Sequence, residues 1–116
     1  MEFEDLEAWK EARELVRRVY SIRGGLDKDF GLRDQIRRAA VSTMANIAEG
    51  FERWNAGEKR QFYNIARASC GEVRSLLYVL LDTKYLSSED VQALRNLSIR
   101  TGKLVTGLMK SLDAKK

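Results

Sequence analysis

Histidine and proline are absent from the 116 residues, and cysteine occurs once, as Cys70. The missing histidine removes the Glu-x-x-His ligand pairs of ferritin-like di-iron bundles. It also removes general-base and ribonuclease mechanisms that work through an imidazole. Without proline no position lacks its backbone donor, so long uninterrupted helices are allowed throughout. A single cysteine excludes an intrachain disulfide and supplies no paired-cysteine metal framework, which fits a reduced, cytoplasmic setting. No Gly-x-x-x-x-Gly-Lys phosphate loop and no nucleophile elbow occurs. No apolar run approaches a membrane span, and Glu2, Glu4, Asp5 and Glu7 make the first residues unlike a signal peptide. The composition therefore points to a soluble protein with no membrane partner, no cofactor and no metal.

Hydrophobic residues at 44% and charged residues at 33% fit one globular domain over residues 1–116, with one modest core. The net charge of +4 is uneven, because residues 1–56 are close to neutral and the excess of lysine and arginine falls after residue 57. A weakly basic second half is compatible with nucleic acid and is also common in proteins that bind none.

Apolar spacing predicts four helices, at about 5–23, 31–53, 56–84 and 88–112, and strand-like alternation is absent. The first repeats Leu6, Trp9, Ala12, Val16, Val19 and Tyr20, widened by Leu15 and Ile22, and ends at Gly24-Gly25. The second carries a core stripe of Leu32, Ile36, Ala39, Ala40, Thr43, Ile47, Gly50 and Trp54. Val41, Met44, Ala45 and Ala48 cluster roughly opposite, and a helix apolar on both sides is usually buried on both sides. In so short a chain another subunit covers the second side most economically, so these four residues are the candidate oligomer interface. The third helix presents Phe62, Ile65, Ala66, Ser69, Val73, Leu76, Leu77 and Leu80, and the fourth Val91, Leu94, Leu97, Thr101, Leu104, Leu108 and Leu112. Asn55 with Glu58, and Ser87 with Asp90, read as capping boxes, the second with Leu86 and Val91 as a staple. Four helices with short connections predict an all-α, antiparallel up-down-up-down bundle.

Three constellations could carry chemistry. Glu4, Asp5 and Glu7 could hold magnesium, but acids at a helix start also complement its dipole. Ser42, Asn46 and Glu49 fall in one narrow sector beside the core stripe, where unpaired polar groups are costly. Ser69 and Glu72 of the third helix can face them. As a carboxylate site the five residues lack a nucleophile–base pair, whereas as a structural polar network they would fix helix register. An enzyme would need Glu49 or Glu72 in a cleft. Finally, Arg60, Tyr63, Arg67, Arg74 and Tyr78 share one sector of the third helix, with Arg37 and Arg38 able to extend the patch. Arginines beside aromatics suit phosphate contact and base stacking, so these five are the candidate nucleic-acid-binding residues. The alternative is a solvated face whose long stems cover apolar neighbours. Cys70 reads as a small packing residue.

Gln35-Ile36-Arg37-Arg38-Ala39-Ala40-Val41-Ser42 followed by Asn46-Ile47-Ala48-Glu49-Gly50 resembles the four-helix bundle proteins encoded by intervening sequences of bacterial 23S ribosomal RNA genes. Leu6-x-x-Trp9-x-x-Ala12, Val19-Tyr20, Phe30-Gly31-Leu32, Ser69-x-x-Glu72 and Tyr85-Leu86 match as well, so the likeness covers nearly the whole chain. Two prolines common in that family, before the second helix and before the Asn-Ile-Ala-Glu-Gly segment, are replaced here by Gly24-Gly25-Leu26 and Met44. The family is in turn similar to the accessory protein of diversity-generating retroelements, a pentameric barrel that binds reverse transcriptase and nucleic acid. The resemblance thus implies a homopentamer with a basic surface, RNA or DNA as a partner, and a partner protein such as a reverse transcriptase. From sequence the expectation is a non-enzymatic accessory or scaffold factor. Its rivals are a purely structural oligomer without nucleic-acid affinity and a carboxylate-dependent enzyme.

Overall fold

A computed structural model describes residues 1–113 and contains four α-helices: α1 (Glu7–Tyr20), α2 (Phe30–Glu52), α3 (Ala56–Asp82) and α4 (Ser88–Asp113). Each helix packs against its chain neighbour and α4 returns to α1, the closed square of an antiparallel four-helix bundle measuring 48 × 22 × 20 Å. No helix among the described residues is long and apolar enough to cross a membrane.

The helix ends are set by local chemistry. Asp29 caps α2 by accepting from Leu32 N at 3.3 Å, and Asn55 caps α3 by accepting from Glu58 N at 2.8 Å. Ser87 Oγ accepts from Asp90 N at 3.1 Å at the start of α4. These are one-way caps, each satisfying one of the orphan donors of a first turn. Replacing Asn55 with Ala is expected to cost about 1 kcal/mol, read as a lowered urea midpoint with unchanged slope. The first helix ends at Tyr20, earlier than the glycine pair, and Ser21 at its C-cap donates from Oγ to Arg17 O at 2.8 Å. The chain then passes through Gly24 at φ +93°, a conformation that suits glycine. Gly25 lies under the ring of Tyr85, where a Cβ would come within 2.5 Å of the ring edge. Tyr85 Oη donates to Asp29 Oδ2 at 3.1 Å, and this bond holds the Tyr85 hydroxyl above its usual pKa. One clasp therefore ties the α1–α2 connection to the α3–α4 connection.

The core has two apolar halves. One is built around Leu15, Val19, Leu26, Ile36, Leu77 and Leu80, and the other around Leu6, Ile47, Tyr63, Val105 and Leu112. Between them, Thr43 and Thr101 are fully buried, and their hydroxyls donate to Ala39 O and Leu97 O at 2.9 and 2.8 Å. Satisfied this way within their own helices, they avoid the cost of an unpaired buried hydroxyl.

The buried residues of α3 are Tyr63, Ala66, Cys70, Val73, Leu77 and Leu80, a strict heptad seam. The stripe predicted from apolar spacing shares Ala66, Val73, Leu77 and Leu80 with this seam and lacks Tyr63 and Cys70. Phe62, Ile65, Ser69 and Leu76 flank the seam on its α2 side. Likewise α4 buries Ser98 and Val105, while Leu104 and Leu108 are half-buried. Trp54, predicted to end the α2 stripe, is 97% exposed. The helix stops at Glu52 and Arg53 is extended, which swings Trp54 into the connection and away from the core. Tyr20, predicted on the α1 stripe, is also exposed. It serves instead as a platform for the Arg37 guanidinium, 4.6 Å above its ring.

Candidate nucleic-acid interface

The five sequence-predicted residues of the basic patch do not share one environment. Tyr63 is buried, only 3% exposed, and points into the lower half of the core against Gly50. That excludes it from a stacking surface, and the same desolvation raises its hydroxyl pKa. Arg60 reaches across to Asp113 at the end of α4 and forms an ion pair. Tyr78 is exposed, and its hydroxyl accepts from Arg95 Nε at 3.2 Å. Arg67 and Arg74 remain exposed, and neither makes an ion pair among the described residues.

Those two arginines line one wall of a groove between α3 and α4, with a volume of about 480 Å³. Lys103 and Lys110 line the opposite wall. Its floor contains Cys70, Gly71, Ile99, Gly102, Thr106 and Gly107, and no acidic residue lines it. A Cβ placed on Gly71, Gly102 or Gly107 would meet nothing within 4 Å, so these glycines leave the groove open where side chains would fill it. Periodicity along one helix does not reveal Lys103 and Lys110. They lie on another helix, and only the antiparallel register of α3 against α4 brings them opposite Arg67 and Arg74. The one legible signal is the basic excess of the last thirty residues.

Four like charges beside a low-dielectric wall create a positive potential that favours an anion over water and small counterions. The groove floor adds no reactive group. The Cys70 thiol donates to Ser98 O at 3.0 Å, and burial pushes its pKa up to about 11 despite the nearby Arg74 charge. At neutral pH it is therefore a protonated, poorly nucleophilic packing group.

The predicted polar network between α2 and α3 separates into three parts. Ser42 Oγ and Ser69 Oγ are 2.8 Å apart, and Asn46 Nδ2 donates to both Ser42 O and Ser42 Oγ at 2.8 and 3.1 Å. Glu72 accepts from Gln35 Nε2 at 3.4 Å. Glu49 belongs to neither group, since it pairs at 2.7 Å with Arg53, the residue just past the end of its helix. The five residues thus do not form one cluster, because Glu49 is taken up by Arg53 and Glu72 by Gln35. Both glutamates are exposed and each already holds a partner.

Several apolar residues outside the core are open to solvent, and Val41 among them lines a shallow groove with Tyr20 of α1, Arg37 and Arg38. Val41 is 38% exposed and Ile65 42% exposed, with Val79 and Ala45 also open to solvent. Ala48 is half-buried. Met44, predicted beside Val41, Ala45 and Ala48, turns toward α1, where it packs with the lower core and faces Val16 and Arg13. On α3, Ile65, predicted in the core stripe, is exposed.

A family model described as the 23S rRNA-intervening sequence protein matches residues 4–107. Among solved structures, the chain is similar to a protein of unknown function from the S23 ribosomal protein family of Bacteroides thetaiotaomicron. The two are 25% identical with a TM-score of 0.82, over 89% of this chain and 98% of that one. Among curated proteins none matches. With a four-helix fold and a family match spanning most of its length, this chain belongs to the 23S rRNA-intervening sequence protein family.

Proposed function

We propose that this protein is a non-enzymatic scaffold with two working surfaces. Its α2–α3 face joins copies of the chain, in the five-membered ring that the family resemblance implies, and its α3–α4 groove holds nucleic-acid phosphates. The observation that carries this reading is the segregation of the two surfaces. Arg67, Arg74, Lys103 and Lys110 gather with three glycines along the α4 side of α3, whereas Ile65 and Val79 are exposed elsewhere on α3 and Val41 and Ala45 on α2. A merely solvated surface has no reason to sort them.

The α2–α3 face also keeps hydrogen-bonding capacity in reserve. Of the two serine hydroxyl protons, the Ser42–Ser69 bond uses one, and the Asn46 carbonyl oxygen has no partner among the described residues. A spare donor and acceptor at a subunit contact can fix the register of a neighbouring copy while discriminating against misaligned ones. Catalysis finds little support. Glu49 and Glu72 are each engaged, the only thiol is kept protonated, and there is no histidine.

Binding is tested by fluorescence anisotropy with a labelled RNA at low salt. Each arginine–phosphate contact contributes about 1 kcal/mol, so replacing Arg67 and Arg74 together with Ala is expected to weaken affinity at least tenfold. Replacing Arg60, which Asp113 already neutralises, should weaken it less than about threefold. RNA affinity that is undetectable in the unaltered protein at low salt would leave the purely structural oligomer as the better reading.

A further inference from the structure

The four groove cations form a ladder. Arg67 and Arg74 are seven residues apart on α3, and Lys103 and Lys110 seven apart on α4. Each pair therefore spans about 10 Å along its helix. The register between the helices is fixed at both ends, by the Arg60–Asp113 ion pair and the Tyr78–Arg95 hydrogen bond. It staggers the pairs, so that Lys103 falls between Arg74 and Arg67, and Lys110 falls beyond Arg67. The order along the groove is Arg74, Lys103, Arg67, Lys110, alternating between walls in steps of about 5 Å over a total of about 16 Å.

From this arrangement we infer that the groove takes one extended single strand of nucleic acid, phosphates inward and bases outward, without preference for base. The inference rests on the phosphate-binding role proposed above and names its substrate class. A straight row of charge is followed by an extended strand along its whole length. A duplex strand turns through nearly half a revolution within about 16 Å of axis, since a full turn takes about 34 Å. It would leave the row after one or two contacts. The lining includes no aromatic ring and no asparagine or glutamine, so neither stacking nor base-edge hydrogen bonding is available inside. Gly71, Gly102 and Gly107 are what let a backbone sink between the walls.

The test uses the full chain and four labelled 12-mers, oligo-dT, oligo-dA, oligo-U and a DNA duplex of mixed sequence, titrated by anisotropy at low salt. The three single strands should bind within about threefold of one another and at least tenfold more tightly than the duplex. Four phosphate contacts with a single strand set a slope of log affinity on log salt near about −3. A charge-neutral block separates the groove from general basicity. Gly102→Leu with Gly107→Leu fills the channel while improving helix propensity, and should cost single-strand binding at least tenfold. Lys103→Gln with Lys110→Gln, both surface changes on an intact helix, should cost a similar factor and reduce the salt slope by about 1.4. Duplex binding equal to or tighter than single-strand binding would overturn the inference but leave nucleic-acid association standing. Unchanged binding by both double variants would also overturn it, by placing the strand elsewhere. Binding of none of the four probes would overturn both this inference and the binding role beneath it.

Discussion

Replacing Gly50 with Ala is expected to destabilise the fold by about 2 kcal/mol, lowering Tm by about 8 °C. A Cβ at this position would stand 2.6 and 2.7 Å from Cε1 and Cδ1 of Tyr63, and 3.2 Å from the carbonyl oxygen of Lys59. The Tyr63 ring is almost fully buried with Leu6, Ile47, Val105 and Leu112, so yielding to a new Cβ disturbs that packing and pushes the ring toward the hollow it lines with Leu108 and Leu112. The α3 helix cannot move away easily, since Lys59 Nζ donates to Phe51 O at 2.7 Å and stitches the end of α2 to the first turn of α3. Helix propensity acts the other way and favours Ala over Gly by about 1 kcal/mol. Overpacking costs about 3 kcal/mol where backbone and ring yield only by disturbing their packing, so the clash decides the sign. A double-mutant cycle separates the two effects. In a Tyr63→Leu background the same change should become neutral or stabilising, a coupling measurable by urea unfolding. A Gly50→Ala variant as stable as the parent would show that the helices are not held this closely.

Charging the outer face should dissolve the assembly while leaving the bundle folded. With Val41→Asp and Ile65→Asp together, light scattering at micromolar concentration is expected to return the 13.3 kDa chain mass, against a multiple of it for the parent. Each aspartate would enter an apolar contact without a partner, and a buried unpaired charge costs several kcal/mol. In a ring the penalty recurs at every interface, so association should weaken at least a hundredfold. Both side chains are substantially exposed in the single chain, so helical content and Tm should shift little. Persistence of a folded double variant as an oligomer would mean that subunits meet elsewhere.

Much of this fold is legible in the sequence, for identifiable reasons. The absence of proline and the capping residues Asn55 and Ser87 place three helix boundaries to within two residues. Apolar spacing places Ala66, Val73, Leu77 and Leu80 in the seam of α3 but chooses Phe62, Ile65, Ser69 and Leu76 where the buried positions are Tyr63 and Cys70. Hydropathy alone cannot distinguish a side that faces the core from an apolar side left open to solvent. The same ambiguity draws Trp54 into a stripe that the helix ends too early to hold. Ser42 and Ser69 do pair across the α2–α3 seam, with Asn46 bonding back to Ser42 within α2, since small polar residues beside a core must find partners. The groove is half visible. Arg67 and Arg74 follow from periodicity within one helix, but Lys103 and Lys110 become their counterparts only through the register of two helices.

That register leaves α3 with two sides, the groove against α4 and another that carries the exposed Ile65 and Val79. Native mass spectrometry of the unaltered protein mixed with a 12-nucleotide single strand reads both sides in one spectrum. The expected species is five chains of 13.3 kDa each carrying retained oligonucleotide. A 13.3 kDa species free of oligonucleotide would contradict the account.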